Sequence, residues 1–277
     1  MSSQARRSGQ ALEVTQPVEL EPVLFDATVR APVAPMHAEP GVASPMISQQ
    51  LAGHRVTVVD VDTEWVRAWG PDRYDGWMHQ GFLMHEDGSA TAAGVAADAM
   101  RISLGCVADN GRGPRALPLR ALLGPDEIIQ SGEVLEATLV RTRFPRDPEA
   151  ITKTAREFFH GTSYLWGGVT PWGADCSGLV QSSFALHGVR LPRDAWQQSA
   201  AGEDAGTDIA ALRVADLLFF SDREDRHVTH VGISLGGWRM VHLALGRGGY
   251  WVEQLDDLSS RYVAKLRERF VFARRVL

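Results

Sequence analysis

The chain is poor in cysteine and lysine and has no long apolar run, and each shortage removes a class of protein. Cys106 and Cys176 are the only cysteines in 277 residues. Two thiols so far apart make no disulfide framework. No Cys/His spacing matches a closed zinc site, so neither a metal nor another cofactor is expected. Lys153 and Lys265 are the only lysines and the net charge is -6. Without a cluster of basic residues, no nucleic-acid partner is expected. Nothing approaches the roughly 20 apolar residues that span a bilayer, so no membrane partner is expected. Met1 to Thr15 is polar and lacks the apolar centre of a secretory leader, which predicts a cytoplasmic protein.

What is present is an ordinary globular composition, 44% hydrophobic and 22% charged, in a chain long enough for two or three domains. Residues 1–20 read as a flexible N-terminus. Residues 21–84 read as a small β-barrel: Val56–Asp62 is β-branched, Trp65–Trp69 alternates, Pro71–Gly76 is turn-rich and Trp77–Leu83 resumes apolar character. Trp65, Trp69 and Trp77 are expected in its core. Residues 85–144 repeat the pattern more weakly, with loose alternation over Thr91–Cys106 and a Gly111–Pro114 loop, and read as a second small β domain.

Pro145 and Pro148 open the third segment, residues 145–277. Asp147 reads as an N-cap with Pro148 at the first helical position, followed by an apolar stripe of Ile151, Ala155, Phe158 and Phe159. A second helix is expected over Cys176–Leu186, ended by Gly188. Strands are expected at Leu217–Phe220, His230–Leu235, Arg239–Leu243 and Phe270–Leu277. Helices first and hairpins after indicate an α+β domain.

Cys176 stands where a thiol can act. The Gly-rich stretch Gly161–Gly173 precedes it and a helix follows, and unpaired N–H groups at a helix start favour a thiolate. Cys106, inside an apolar run, reads as an inert core thiol. Among the nine histidines, His230 opens an apolar strand, with Gly232 and Ser234 on its own face as a small, polar wall. His227 lies in the charged loop Arg223–Arg226, His187 near a helix end, and the others in turns or in the β segments. A base needs an orienting partner. His242 reaches the face of His230 only if the Gly236–Gly237 connection is a three- or five-residue loop or carries a bulge. Arg193 and Asp194 read as a structural pair.

Tyr164-Leu165-Trp166-Gly167-Gly168, Asp175-Cys176-Ser177-Gly178-Leu179-Val180, Leu191-Pro192-Arg193-Asp194, Asp216-Leu217-Leu218-Phe219-Phe220 and His230-Val231-Gly232-Ile233, with His242 following, resemble the NlpC-type cell-wall cysteine peptidases. The resemblance runs from about Asp147 to the C-terminus and implies a papain-like fold. It implies Cys176 as nucleophile, His230 as base, His242 as its orienter and Tyr164 as an oxyanion donor beside the Cys176 amide. Ala215 departs from a usual glycine and Ala195 from a frequent serine. Gly53–Leu83 resembles a bacterial SH3-like domain, of which such enzymes carry one or two. In a subgroup the barrel closes the cleft and selects a free N-terminal L-Ala; that resemblance implies that Asp175 pairs with the substrate ammonium and that Tyr74 contributes, and Ser177 and Trp166 are expected as further substrate contacts. Ile47 occupies the place of an acidic residue in that subgroup.

The resemblance implies hydrolysis of the bond between D-γ-glutamate and a diamino acid, diaminopimelate or Lys, in murein tripeptides or tetrapeptides, and a role in recycling trimmed wall peptides. The alternatives are an extracytoplasmic hydrolase of intact wall, an inactive wall-peptide-binding protein, or an acyltransferase on the same fold.

Overall fold

The computed structural model describes residues 22–85 and 100–277. The expected N-terminal segment 1–20 and residues 91–99 of the loosely alternating stretch lie outside them. The first region is one antiparallel sheet of β1 (Phe25–Val29), β2 (Val33–His37), β3 (Met46–Leu51), β4 (Arg55–Asp62), β5 (Trp65–Trp69), β6 (Asp75–His79) and β7 (Leu83–His85), in the order β3-β2-β6-β5-β4-β1-β7. Strand alternation sends Val66, Ala68, Gly76 and Met78 inward, onto Ala27, Val29, Met36, Val56 and Val58. The same period of two turns Trp65, Trp69 and Trp77 outward, where they are half-buried. This corrects their expected place in the core. Trp65 instead meets His37 and His79 edge-on at 5.4 and 5.5 Å, and the Arg73 guanidinium lies 3.8 Å over Trp69.

The second region is a four-stranded antiparallel sheet of β8 (Arg101–Asp109), β9 (Pro114–Leu117), β10 (Leu122–Leu123) and β11 (Ile128–Glu136). Bulges break the β8–β11 register on either side of Gly132. Its buried residues Cys106, Ala108, Leu117 and Leu123 share one cluster with Leu51 and Ala52 of the first region and Val169 of the third. It has too few apolar residues of its own, and its neighbours complete its core.

The third region begins with α1 (Val140–Arg143) and α2 (Pro148–Phe158). Asp147 caps α2 by accepting from the Ala150 amide, with Pro148 in its first turn. A ribbon of β12 (Val169–Thr170) and β13 (Gly173–Ala174) leads into α3 (Cys176–Leu186). Helix α3 is buried nearly all round, which fits its apolar sequence and makes it the centre of the domain. After α4 (Ala195–Gln198) come β14 (Glu203–Gly206), β15 (Leu217–Phe220), β16 (His230–Ser234), β17 (Arg239–Ala244), β18 (Gly249–Gln254), α5 (Arg261–Glu268) and β19 (Phe270–Arg275). The six strands form an antiparallel sheet in the order β14-β19-β15-β16-β17-β18.

One face of this sheet (Leu217, Phe219, Val231, Ile233, Val241, Leu243) clusters with Leu179, Val180 and Phe184 of α3. The other (Leu218, Phe220, Met240, Ala273) clusters with Leu266 of α5. Gly232 and Ser234 lie on this second face and are buried. A Cβ on Gly232 would stand 2.3 Å from the Met240 sulfur, so the glycine makes room for core packing. The expected polar wall beside His230 is therefore a second core, and only His230, at the strand's start, opens onto the cleft. Ala215 has φ +67°, a left-handed conformation that suits glycine.

The first region docks on the third. Ser48 accepts from Arg193 at 3.2 Å, Gln49 from the Val169 amide at 3.0 Å and Asp72 from Gln181 at 3.0 Å. Gly167 has φ +76°, and a Cβ there would lie 2.8 Å from the Met46 carbonyl oxygen. Glycine is what lets this loop lie against β3. Among the described residues no helix is long and apolar enough to cross a membrane.

Candidate active site

Asp175 is the N-cap of α3 and places Cys176 in the helix's first turn, 7% exposed at the edge of a cleft of about 580 Å³. The Asp175 Oδ1 accepts from the Gly178 amide at 2.7 Å and from Arg193 at 3.0 Å. Its Oδ2 accepts from the Gly167 amide at 2.8 Å and from Arg193 at 2.7 Å. The Ser177 hydroxyl donates to Asp175 and accepts from Arg193. Asp175, Ser177 and Arg193 are thus one buried network that fixes the helix start. The expected Arg193–Asp194 pair gives way to Arg193–Asp175, because the two guanidinium nitrogens match the two carboxylate oxygens.

The turn between β16 and β17 is a three-residue loop, Gly236-Gly237-Trp238, closed by the Leu235 amide donating to the Arg239 carbonyl. This is one of the connections the sequence required. Its centre is Gly237, so His230 and His242 are diagonal rather than directly opposed. Their rings meet with His230 Nε2 2.8 Å from His242 Nδ1. His242 is fully buried, and its Nε2 lies 3.3 Å from Glu253 Oε1. Glu253 is 2% exposed and receives Arg247 through both oxygens, at 2.7 and 2.9 Å.

This order of partners sets the tautomers. A carboxylate only accepts, so His242 donates Nε2–H to Glu253. His242 Nδ1 is then an acceptor and takes Nε2–H from His230. That leaves the His230 Nδ1 lone pair free. Glu253 and Arg247 were not legible as parts of the site. The one available signal was an acid in the otherwise apolar or neutral stretch Gly249–Gln254, on a strand that the sequence did not reveal.

Cys176, His230, Tyr164, Trp166, Asp175, Ser177 and Tyr74 all line this cleft, with Ile47 at the wall made by β3. His242 lies behind His230. The Tyr74 hydroxyl bonds to Asp194, 3.1 Å from each oxygen, so the first region supplies part of the cleft wall. Trp166 and Trp196 are exposed on its rim, 65% and 50%, whereas Trp172 does not line it. Cys106 is a buried free thiol in a different cluster.

Burial dominates the titration of the reacting pair. It pushes the Cys176 thiol up to about 12, and Asp175 adds to the rise. The Val231 and Ser177 amides and Arg193 oppose this without reversing it. The amide at the helix start favours the thiolate, as the sequence leads one to expect, and burial acts against it. Burial, then His242 and Arg269, holds His230 well below the usual histidine range. Burial thus disfavours the charged form of either group alone. The Tyr164 hydroxyl is pushed up by burial and by Cys176, so it is a donor.

A family model for the NlpC/P60 family matches residues 161–267. A gamma-D-glutamyl-L-lysine dipeptidyl-peptidase of Bacillus subtilis (strain 168) is 30% identical over 220 residues, 70% of this chain and 71% of that protein. A protein of the same name from Bacillus cereus is 36% identical over 87 residues, 31% of this chain and 26% of that one. The crystal structure of an NlpC/P60 family protein from Bacillus cereus ATCC 10987 shares the fold, with a TM-score of 0.75 and 19% identity over 91% of this chain and 99% of that chain.

Proposed function

This chain belongs to the NlpC/P60 family of cysteine peptidases, and on that premise we propose that it releases a dipeptide from murein peptides with a free amino terminus, by cutting between D-γ-glutamate and a diamino acid. The observation that carries this reading is the Tyr74–Asp194 contact, which lies in the wall of the cleft that Cys176 also lines. In this reading a peptide with its γ-carbonyl at Cys176 presents its amino terminus to that contact.

Asp194, rather than Asp175, is the ammonium acceptor in this reading. Both Asp175 oxygens are filled by Arg193 and backbone amides. Asp194 is half-buried, lines the cleft and accepts from the Tyr74 hydroxyl, the Trp196 side chain and the Gln197 amide, with no guanidinium among the described residues held against it. Ile47 gives the terminal methyl group an apolar wall. The first N-terminal sheet, SH3-like in this reading, contributes Ile47 and Tyr74 to this part of the cleft. The same selection of short, free-amine peptides fits recycling of trimmed wall fragments in the cytoplasm.

The chemistry is acyl transfer to water through Cys176. Its Sγ–H proton passes to His230 Nδ1 as Sγ bonds to the γ-carbonyl carbon. The oxyanion accepts from the Cys176 N–H, which as the first helical amide has no intrahelical acceptor, and from the Tyr164 hydroxyl. Collapse breaks the C–N bond, and the departing amine takes the proton from His230. Water then gives a proton to His230 and its oxygen to the thioester, which frees the dipeptide acid and restores the thiol. Thiolate and imidazolium arise together, so each offsets in the other the burial that disfavours either alone. Incubation of L-Ala-γ-D-Glu-L-Lys with the protein tests this: release of L-Ala-γ-D-Glu, absent from Cys176→Ala, is expected, and an uncut peptide contradicts it.

A further inference from the structure

Most charged side chains lining the cleft already have partners. Asp175 holds Arg193, Asp194 holds Tyr74, Arg223 holds Asp225, and Asp222 accepts from Thr229. Arg269 differs. It is partly buried, it lines the cleft, and among the described residues its guanidinium has neither an ion-pair nor a hydrogen-bond partner. Its backbone is fixed at the junction of α5 and β19: its N–H donates to the Leu266 carbonyl and its carbonyl accepts from the Ser221 amide. A guanidinium half out of water without a carboxylate keeps five donors for an incoming group, and two can grip a carboxylate side by side.

Its position shows which part of the substrate it meets. Phe220 pairs with His230 on one side and with Phe270, the neighbour of Arg269, on the other, which sets Arg269 on the His230 side of the cleft, whereas Asp194 stands against Tyr74. The two charges therefore serve different ends of the cleft. His230 protonates the departing amine, so the amino acid bearing that amine lies over His230, beside Arg269.

We propose that Arg269 binds a carboxylate of the leaving diamino acid, so that the enzyme selects a charged acid on that side of the cut bond. This rests on the reaction proposed above. The carboxylate is either the α-carboxylate, present in Lys and diaminopimelate alike, or the second carboxylate of diaminopimelate.

The test compares kcat/KM for L-Ala-γ-D-Glu-L-Lys and its C-terminal amide. It adds the diaminopimelate tripeptide, free or amidated at one carboxyl or the other. A charged hydrogen bond of this kind predicts a loss of about tenfold to a hundredfold on amidation of the recognised carboxyl. Arg269→Gln should cut the acid no better than the amide, and Arg269→Lys should keep part of the preference. Loss on α-amidation assigns the α-carboxylate; loss only on amidation of the other carboxyl assigns the second. Wild type that cuts acid and amides equally, or a preference intact in Arg269→Gln, overturns the proposal while leaving the reaction standing. If no peptide is cut, the reaction and this assignment fall together.

Discussion

The Tyr74 hydroxyl, carried by the N-terminal sheet, meets the Asp194 carboxylate 3.1 Å from both oxygens, across 120 positions of sequence. Neither residue is adjacent to Cys176 in the chain, yet both line its cleft, and in the proposed function they meet the substrate's amino terminus. Asp194→Asn removes the charge that an ammonium needs. A lost charged hydrogen bond predicts a fall in kcat/KM of about tenfold to a hundredfold for free-amine peptides. Tyr74→Phe should do less, since Asp194 keeps its charge. Steady-state kinetics on the free-amine tripeptide checks both.

Glu253 acts on the reaction through two imidazoles. Glu253→Gln offers His242 an amide that can donate as well as accept, so the tautomer chain to His230 is no longer enforced. The expected effect is a kcat lower by about tenfold to a hundredfold, at or below the low end of a full general-base contribution because His230 itself remains, with KM little changed. A rise in KM alone would place Glu253 in substrate binding instead. Circular dichroism of the variant guards against simple misfolding.

The acid limb of the pH–rate profile should lie well below about 6.5, the ordinary histidine value. His230 is held down by burial, His242 and Arg269, so it remains a neutral base as the pH falls through that value. The sign for stability is opposite to that of an ion-paired histidine. The unfolded chain takes up a proton near 6.5 that the fold resists, so stability is lost as the pH drops below that value. Rates and thermal melts from pH 4 to 8 measure both.

Ala215 occupies a left-handed backbone position, φ +67°, where its Cβ crowds the chain. Replacing it with glycine relieves roughly 1 kcal/mol or somewhat more, less the extra freedom of glycine in the unfolded chain. The melting temperature of Ala215→Gly should therefore rise or stay level, with unchanged kcat. A clear fall would show that the methyl group packs better than the backbone suffers.

The sequence displayed the chemistry better than its surroundings. Helix α3 was legible from the glycine-rich loop before it and Gly188 after it, strand β15 from a short run apolar on both faces, and the β16–β17 loop only as one of the few connections that put two histidines on one face. The outward Trp65, Trp69 and Trp77 were misplaced because size argued for burial while strand parity argued against it. Strand β18 and helix α5 went unseen, and Glu253, Arg247 and Arg269 with them. A carboxylate's partner is set by how loops and helix starts pack together, so Asp175 and Asp194 were legible as acids but not as to which one Arg193 would fill.

The central claim is that the cleft admits a free amino terminus at the Tyr74–Asp194 contact. The direct measurement is kcat/KM for L-Ala-γ-D-Glu-L-Lys against the same peptide N-acetylated on Ala. The account predicts cleavage of the first and a loss of at least about a hundredfold for the second, which lacks the ammonium charge and adds bulk against Tyr74. Equal rates, or faster release from intact peptidoglycan than from the free tripeptide, would contradict it.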